Sequence, residues 1–258
     1  MRIKLALFIN KAGRFLQELP IFFLRPSQLR KIGKDSYKTS SSIDLWTGED
    51  FVNLGLFPGE KELFNLLPGK KGNLLLLGIG GGREALVLGK SGFKITGVDF
   101  VKELVEKSVE YGRKSGIEIN GIVEEITNIE FVPESFDVIW YSCSIYSSIP
   151  GRKNRINSLV RSGKMLRPDG HIACFFYWNP NVRSGKIRWK IGKLISILTF
   201  GNLGYERGDI FKDNLEFLHA FSDKEVLKSE FNESGYEVIE FIFPENSNNA
   251  CALLKKKV

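Results

Sequence analysis

Residues that hold transition metals are scarce in this chain. Its 258 residues include two histidines, His171 and His219, and three cysteines, Cys143, Cys174 and Cys251. The cysteines lack the paired spacing of a zinc site or a disulfide framework. They read as small buried thiols in strands of a protein kept reduced, and the expected metal complement is none. No run approaches the roughly 20 apolar residues of a membrane span. Leu5 to Ile9 is too short an apolar core for a signal peptide, and Lys11 and Arg14 interrupt its continuation. The order Gly-x4-Gly-Lys-Ser/Thr occurs nowhere, which excludes a P-loop nucleotidase. Acidic residues are scarce at one end only: Glu18 and Asp35 stand against nine Lys/Arg over 1–40, a balance of +7. The whole chain is also +7, so 41–258 sum to zero and the first segment supplies the entire excess. With 43% hydrophobic and 26% charged residues, the chain is globular and long enough for one domain with a sizeable core.

What the sequence does contain is a strand, a glycine turn and a helix, in that order. Leu74-Leu75-Leu76-Leu77 is the short continuous apolar run of a buried parallel strand. It ends in Gly78-Ile79-Gly80-Gly81-Gly82, and Arg83-Glu84-Ala85-Leu86 takes up a helical pattern. A parallel α/β sheet uses such a unit to hold a nucleotide-like ligand at its carboxyl edge. The glycines let the backbone turn sharply and approach the ligand closely. Amides opening the helix then offer hydrogen bonds to an anionic group. Asp99 ends the next apolar run, where a carboxylate has two acceptor oxygens for the two hydroxyls of a ribose. The dinucleotide pattern Gly-x-Gly-x-x-Gly/Ala fails because Arg83 stands at its last position, which argues against a nicotinamide dehydrogenase.

Gly78-x-Gly80-x-Gly82 instead resembles the cofactor loop of the class I (Rossmann-like) S-adenosylmethionine-dependent methyltransferases. Gly97-Val98-Asp99-Phe100 is similar to that family's second-strand acid and the apolar residue after it. Glu124-Glu125-Ile126 and Phe131 through Ile139 resemble its third and fourth motifs, and Lys164 through Gly170 resembles its turn into the fifth strand. The resemblance spans residues 70–178 and implies S-adenosylmethionine as cofactor. It implies that Gly78, Gly80 and Gly82 cradle the methionine and ribose portion, and that Asp99 accepts the ribose hydroxyls. Phe100 and Ile126 would pack the adenine faces, Glu125 or its neighbour Glu124 would accept from the adenine amino group, and Trp140 to Ser142 would border the reacting methyl. One position departs. The family's acid two residues before the first glycine, which helps to hold the methionine amino group, is Leu76 here. That departure leaves room for a catalytically silent binding module at a membrane surface.

The resemblance and the hydrophobic pattern together predict an α/β fold of three layers. Its centre would be a doubly wound Rossmann-like methyltransferase sheet, mostly parallel with an antiparallel last strand. Residues 1–45 form a helical arm and 46–258 the domain, with a lid insertion at about 178–221. Helices are expected at Glu60–Leu67, Gly82–Lys90, Lys102–Lys114 and Asn154–Lys164. Strands are expected at Asn73–Gly78, Lys94–Asp99, Glu118–Val123, Phe136–Ser142 and His171–Tyr177. Leu104, Val105 and Val109, and likewise Ile156, Leu159 and Val160, are the predicted inward faces of two helices. Ser222-Asp223-Lys224-Glu225 spells a capping box with Ser222 as the cap, opening a helix that Gly235 ends. Tyr236–Phe243 and Ala250–Leu254 would close the sheet as an antiparallel hairpin.

Two segments are basic and amphipathic. In the arm, Leu5, Phe8, Ala12, Phe15, Leu16 and Leu19 share one side of a helix that Pro20 should stop. In the insertion, Ile187, Ile191, Leu194, Ile195 and Leu198 share a face while Lys186, Lys190 and Lys193 share another. Either these elements pack over the active-site edge as arm and lid, or they touch an anionic membrane surface. The expected location is cytoplasmic, with peripheral membrane contact open. Basic charge without a recognition motif argues against nucleic acid as partner. The Asp/Asn-Pro-Pro-aromatic signature of amino-methylating nucleic-acid enzymes is absent too, its place taken by Ser142-Cys143-Ser144-Ile145. No acidic triad of the magnesium-dependent catechol type is evident. The acceptor is then a small or amphiphilic molecule, methylated at oxygen or nitrogen. His219 is the candidate general base, since imidazole titrates near neutrality. Tyr146, Tyr205 and Glu206 are candidate pocket residues.

Overall fold

The computed structural model describes residues 2–182, 186–212 and 216–257; the side chains of Lys11, Arg14 and Lys186, part of the amphipathic patterns above, lie outside the described ones. Four helices come first: α1 (Arg2–Phe23), α2 (Pro26–Tyr37), α3 (Ser40–Thr47) and α4 (Glu49–Val52). Then α5 (Pro58–Leu66), β1 (Gly72–Leu77), α6 (Arg83–Ser91), β2 (Phe93–Asp99), α7 (Lys102–Lys114) and β3 (Ile119–Val123) alternate. The second half brings β4 (Phe136–Tyr141), α8 (Arg152–Met165), β5 (Leu166–Tyr177), α9 (Lys186–Leu198), β6 (Asp209–Lys212), β7 (Glu216–His219), α10 (Lys224–Glu233), β8 (Tyr236–Ile242) and β9 (Asn249–Lys256).

The main sheet runs β3-β2-β1-β4-β5-β9-β8, with β1 to β5 parallel and β9 antiparallel to both its neighbours. This is the doubly wound Rossmann-like arrangement. The strand order reverses at β1, and in such sheets the carboxyl ends of β1 and β4 border a crevice. Side chains alternate across the sheet, so the apolar run of β1 feeds two cores. Leu75 and Leu77 join Ile139, Leu159 and Phe231 on one face. Leu74 and Leu76 join Leu63, Leu88 and Trp140 on the other. Leu76 is therefore a fully buried core residue under α5 and α6.

Several expectations need correction. The helix α1 runs through Pro20 to Phe23, because Ile21 and Phe22 are completely buried with Leu29, Tyr205 and Phe217, and Leu24 N still donates to Pro20 O. On α8 the inward face includes Leu159 as expected, but Val160 is exposed and Ile156 only partly covered, while Arg155, Ser158 and Ser162 are buried. A polar face can turn inward because Tyr141 Oη bonds Ser158 and Ser162 at 2.9 and 2.8 Å, and Arg155 meets Glu230 at 2.7 Å. Val109 on α7 is half covered rather than core. The cap of α10 is Asp223, whose side chain accepts from Glu225 N, and Ser222 lies before it. Cys143 sits after β4 in a left-handed turn, not a strand, and β5 already starts at Leu166. A bridge pairs Trp178 with Phe221; the excursion between them holds α9 and a small antiparallel β6–β7 hairpin that periodicity does not suggest. Among the described residues no helix is long and apolar enough to cross a membrane.

Candidate functional site

The turn from β1 to α6 crosses the carboxyl edge of the sheet. Gly78, Gly80 and Gly82 take φ of 79°, 52° and 97°, a left-handed region that side-chain-bearing residues enter only with strain. Gly78 N and Ile79 N both donate to Val98 O, which ties the turn to β2. Gly80 N donates to Asp99 Oδ2 and Val101 N to Asp99 Oδ1, each at 3.1 Å. Asp99 is thus a buried carboxylate gripping two loops, with acceptor capacity left on each oxygen. Burial raises its pKa, against the lowering pull of the Val101, Gly80 and Phe100 amides.

A cavity of about 270 Å³ opens beside this turn. Gly78 through Gly81 with Arg83 and Glu84 form one wall, and Ser142 and Cys143 at the end of β4 form a second. Trp46, Phe51 and Phe57 from the helices before the sheet make the third. A Cβ at Gly80 would meet no atom within 4 Å, whereas one at Gly81 would strike the Trp46 carbonyl. The end of α3 therefore sits directly on the glycine turn. Tyr111 Oη fastens it there by donating to Thr47 O at 2.8 Å.

Arg83 is the bolt of this wall. Its guanidinium meets both oxygens of Glu60 at 2.7 Å and donates to Gly55 O at 2.5 Å. It also lies 3.9 Å from the centre of the Phe57 ring. The planar fork suits such bidentate pairing, and pairing is what makes a buried charge tolerable. Glu84 comes next, buried, with one oxygen 3.0 Å from Arg83. Burial and then the nearby Glu60 push its carboxyl up to about 7, although Arg83, its own backbone amide and Ser142 all pull it down. Ser142 Oγ is buried beside Glu84 and, among the described residues, makes no hydrogen bond of good geometry. Burial likewise pushes the Cys143 thiol up to about 11, so it is no ready nucleophile.

Of the residues singled out from sequence, Gly78, Gly80 and Ser142 reach the cavity wall, and Asp99 adjoins it through Gly80. Phe100 and Glu125 lie on the neighbouring side, under α2. Tyr37 stands edge-on to Phe100 with ring centres 6.2 Å apart, and Lys34 pairs with Glu125. Ile126 packs against the core. His219 is not brought to the cavity: its ring is buried in the β6–β7 hairpin, with Nδ1 2.7 Å from Asp209 and the ring 4.6 Å from Phe221. Tyr146 and Tyr205 are core residues too, one bonded to Glu230 and the other packed on Phe22, and Glu206 faces Arg155. Glu206, Asp209 and His219 offer three ligand atoms within 4.8 Å of one another. Glu206 lies 2.9 Å from Arg155, which Glu230 also holds, and Asp209 spends its oxygens on His219 and Glu206 N, so each of the three already has a partner within the chain. Sequence reasoning missed Arg83, Glu84 and the three aromatics. An acid in the first helical turn is a signal for Glu84, given that Leu76 supplies none; the aromatics carry no such signal.

Residues 75–174 match the family described as a methyltransferase domain. No curated protein matches the chain by sequence. Among solved structures, the chain is similar to the 1,6-didemethyltoxoflavin-N1-methyltransferase of Burkholderia thailandensis, whose structure holds 1,6-didemethyltoxoflavin and S-adenosylhomocysteine. That likeness has a TM-score of 0.63 at 16% identity over 89% of this chain and 88% of that one. It is also similar to a SAM-dependent methyltransferase of Methanosarcina mazei, with TM-score 0.58 at 18% identity over 80% and 100% of the two chains. The CcbJ methyltransferase of Streptomyces caelestis gives 0.57 at 14% over 76% and 93%. At such identities the structural likeness establishes the fold.

Proposed function

We propose that this chain, a class I Rossmann-like methyltransferase by family match and fold, moves a methyl group from S-adenosylmethionine to oxygen or nitrogen of a small or amphiphilic acceptor. One observation carries the reading: a cavity bounded by the left-handed Gly78 and Gly80 and by the buried Ser142 hydroxyl, with the two-oxygen acid Asp99 one strand over adjoining it through Gly80. These are groups that suit a nucleoside with a cationic tail. The cofactor supplies a sulfonium methyl that is already activated. The protein's share is then to hold, orient and exclude water.

In this reading Gly80 lets the tail approach the backbone, and Asp99 accepts the two ribose hydroxyls. Phe100 and Ile126 flank the base, with Glu125 near its amino group. Glu84 takes the part of the acid that Leu76 lacks. A buried carboxylate whose pKa has risen to about 7 lacks sufficient positive charge around it, and a methionine ammonium provides that charge. Trp46, Phe51 and Phe57 shield the cavity from solvent, and they supply apolar surface suited to an apolar acceptor.

Calorimetric titration with S-adenosylhomocysteine tests the site. The wild type should bind and Asp99→Ala should bind far more weakly; equal affinities would reject the assignment. Turnover of S-adenosylmethionine against a panel of hydroxyl- and amine-bearing acceptors tests the chemistry, and a chain that binds the nucleoside but methylates nothing would be the silent module instead.

A further inference from the structure

The apolar stripe of α9 faces the wrong way for a packed lid. Ile187, Leu194 and Leu198 share the stripe, and they are 75%, 57% and 70% exposed. The face turned to the body is narrow: Gly192 and Ser196 are buried there, with Gly192 closed in by Phe22 and Tyr205, and Trp189 and Ile195 pack at its edges. A helix that turns both its leucines and most of its isoleucines to solvent, and docks through a glycine, leaves more apolar surface bare than an ordinary surface helix.

Its neighbour behaves alike. The C-terminal half of α1 docks beside α9, where Arg188 pairs with Glu18. On α1 the stripe of Leu5, Phe8, Ala12, Phe15 and Leu19 begins to be covered only at Ala12, and residues 2–10 are exposed throughout. Phe8 is 68% exposed and Leu16, on the same side, 62%. Phe200, just after α9, is also exposed, so a large apolar area spans two adjacent helices. Monomeric proteins rarely leave such an area uncovered.

Charge decides what covers it. Residues 2–25 and 186–207 hold ten Lys/Arg and two acids, a balance of +8, while the whole chain is +7. Both acids are already matched, Glu18 by Arg188 and Glu206 by Arg155. Lys4 and Lys190 are exposed on the two helices. A second copy seated on this face would bring two such basic regions together, whereas an anionic bilayer complements both the apolar stripe and its charged margins.

We infer that the joint face of α1 and α9 is a docking surface for an anionic lipid bilayer. The helices lie along the interface, with Phe8, Leu194 and Leu198 in the acyl boundary and the lysines among the headgroups. Among the described residues no helix is long and apolar enough to span the bilayer. The inference does not depend on the cofactor site, although it explains how an amphiphilic acceptor would be met.

The test is flotation of the full chain with vesicles of phosphatidylcholine alone and vesicles enriched in phosphatidylserine. The expected result is binding to the anionic vesicles that weakens with added salt. It should fall at least about tenfold in Leu194→Asp/Leu198→Asp and in Phe8→Asp. Lys4→Glu/Lys190→Glu should lose the preference for phosphatidylserine. These residues are exposed, so each variant should keep the melting temperature and S-adenosylhomocysteine affinity of the wild type, which separates a failed surface from a failed site. Equal flotation of wild type and variants would overturn the inference. So would a dimer in sedimentation that the same substitutions dissociate, with no flotation on either vesicle.

Discussion

Helices α7 and α9 have the same length, 13 residues, and both are amphipathic with lysines on one side. On α7 the apolar face, Leu104 and Val105, turns inward onto the sheet, and Gly121 on β3 leaves room for Val105. On α9 Ile187, Leu194 and Leu198 turn outward, while Gly192 turns in with Trp189 and Ile195 beside it. Periodicity states that a face needs a partner; it does not say whether the partner is the same chain. The crossover helix has a strand on either side to receive it. The insertion helix packs on a basic arm and leaves Leu194 and Leu198 bare, the surface we infer to meet a bilayer.

The contrast can be broken most sharply by the same substitution on each helix. Leu104→Asp places an unpaired charge in the core and should cost about 4 kcal/mol or more in chemical denaturation. Leu194→Asp should stay within about 0.5 kcal/mol of wild type. If both destabilise alike, α9 is a packed element. Buried ion pairs sharpen the point. Glu230→Gln leaves the fully buried Arg155 short of its main counter-charge and should cost about 3–5 kcal/mol. Asp35→Asn, which breaks an exposed pair with Lys31, should be near neutral.

Within the site, Asp99→Ala should weaken S-adenosylhomocysteine by about 2–3 kcal/mol, roughly thirty- to a hundred-and-fiftyfold, by removing charged acceptors. Glu84→Gln should cost somewhat less, about 1.5–2 kcal/mol, and should also change the pH profile. Below about pH 7 the Glu84 carboxyl of the free protein is protonated. A bound ammonium needs it ionised, so binding there must expel a proton and affinity falls as pH drops through 7. In Glu84→Gln that slope should flatten. A wild-type affinity constant from pH 6 to 8 would remove Glu84 from the site. The smallest effect is at the start of α10: Asp223→Ala should cost about 1 kcal/mol in thermal unfolding, and Ser222→Ala almost nothing.

The parts legible in the sequence obey local rules. The apolar run of β1, its glycines and the paired strands after it are written in contiguous residues, and their order of motifs carries the sheet order. Gly78, Gly80 and Ser142 are visible because they sit at strand ends. The covering parts are not. Trp46, Phe51 and Phe57 come to the cavity through the tertiary path of the arm, and Arg83 reads as a flaw in a motif until its bond to Glu60 is in view. His219 illustrates the opposite error. A lone histidine near a lid invites a catalytic role, yet its partner Asp209, opposite it in the hairpin, occupies the ring nitrogen. Pro20 misleads for a similar reason, since burial of Ile21 and Phe22 outweighs one missing amide.

A crystal structure of the S-adenosylhomocysteine complex bears most directly on the central claim. The thioether and amino-acid tail should run past Gly80 and Ser142 with the ammonium against Glu84, and the ribose should meet Asp99. Density for the nucleoside anywhere else, or a glycine turn closed over by Trp46 with the ligand excluded, would contradict it.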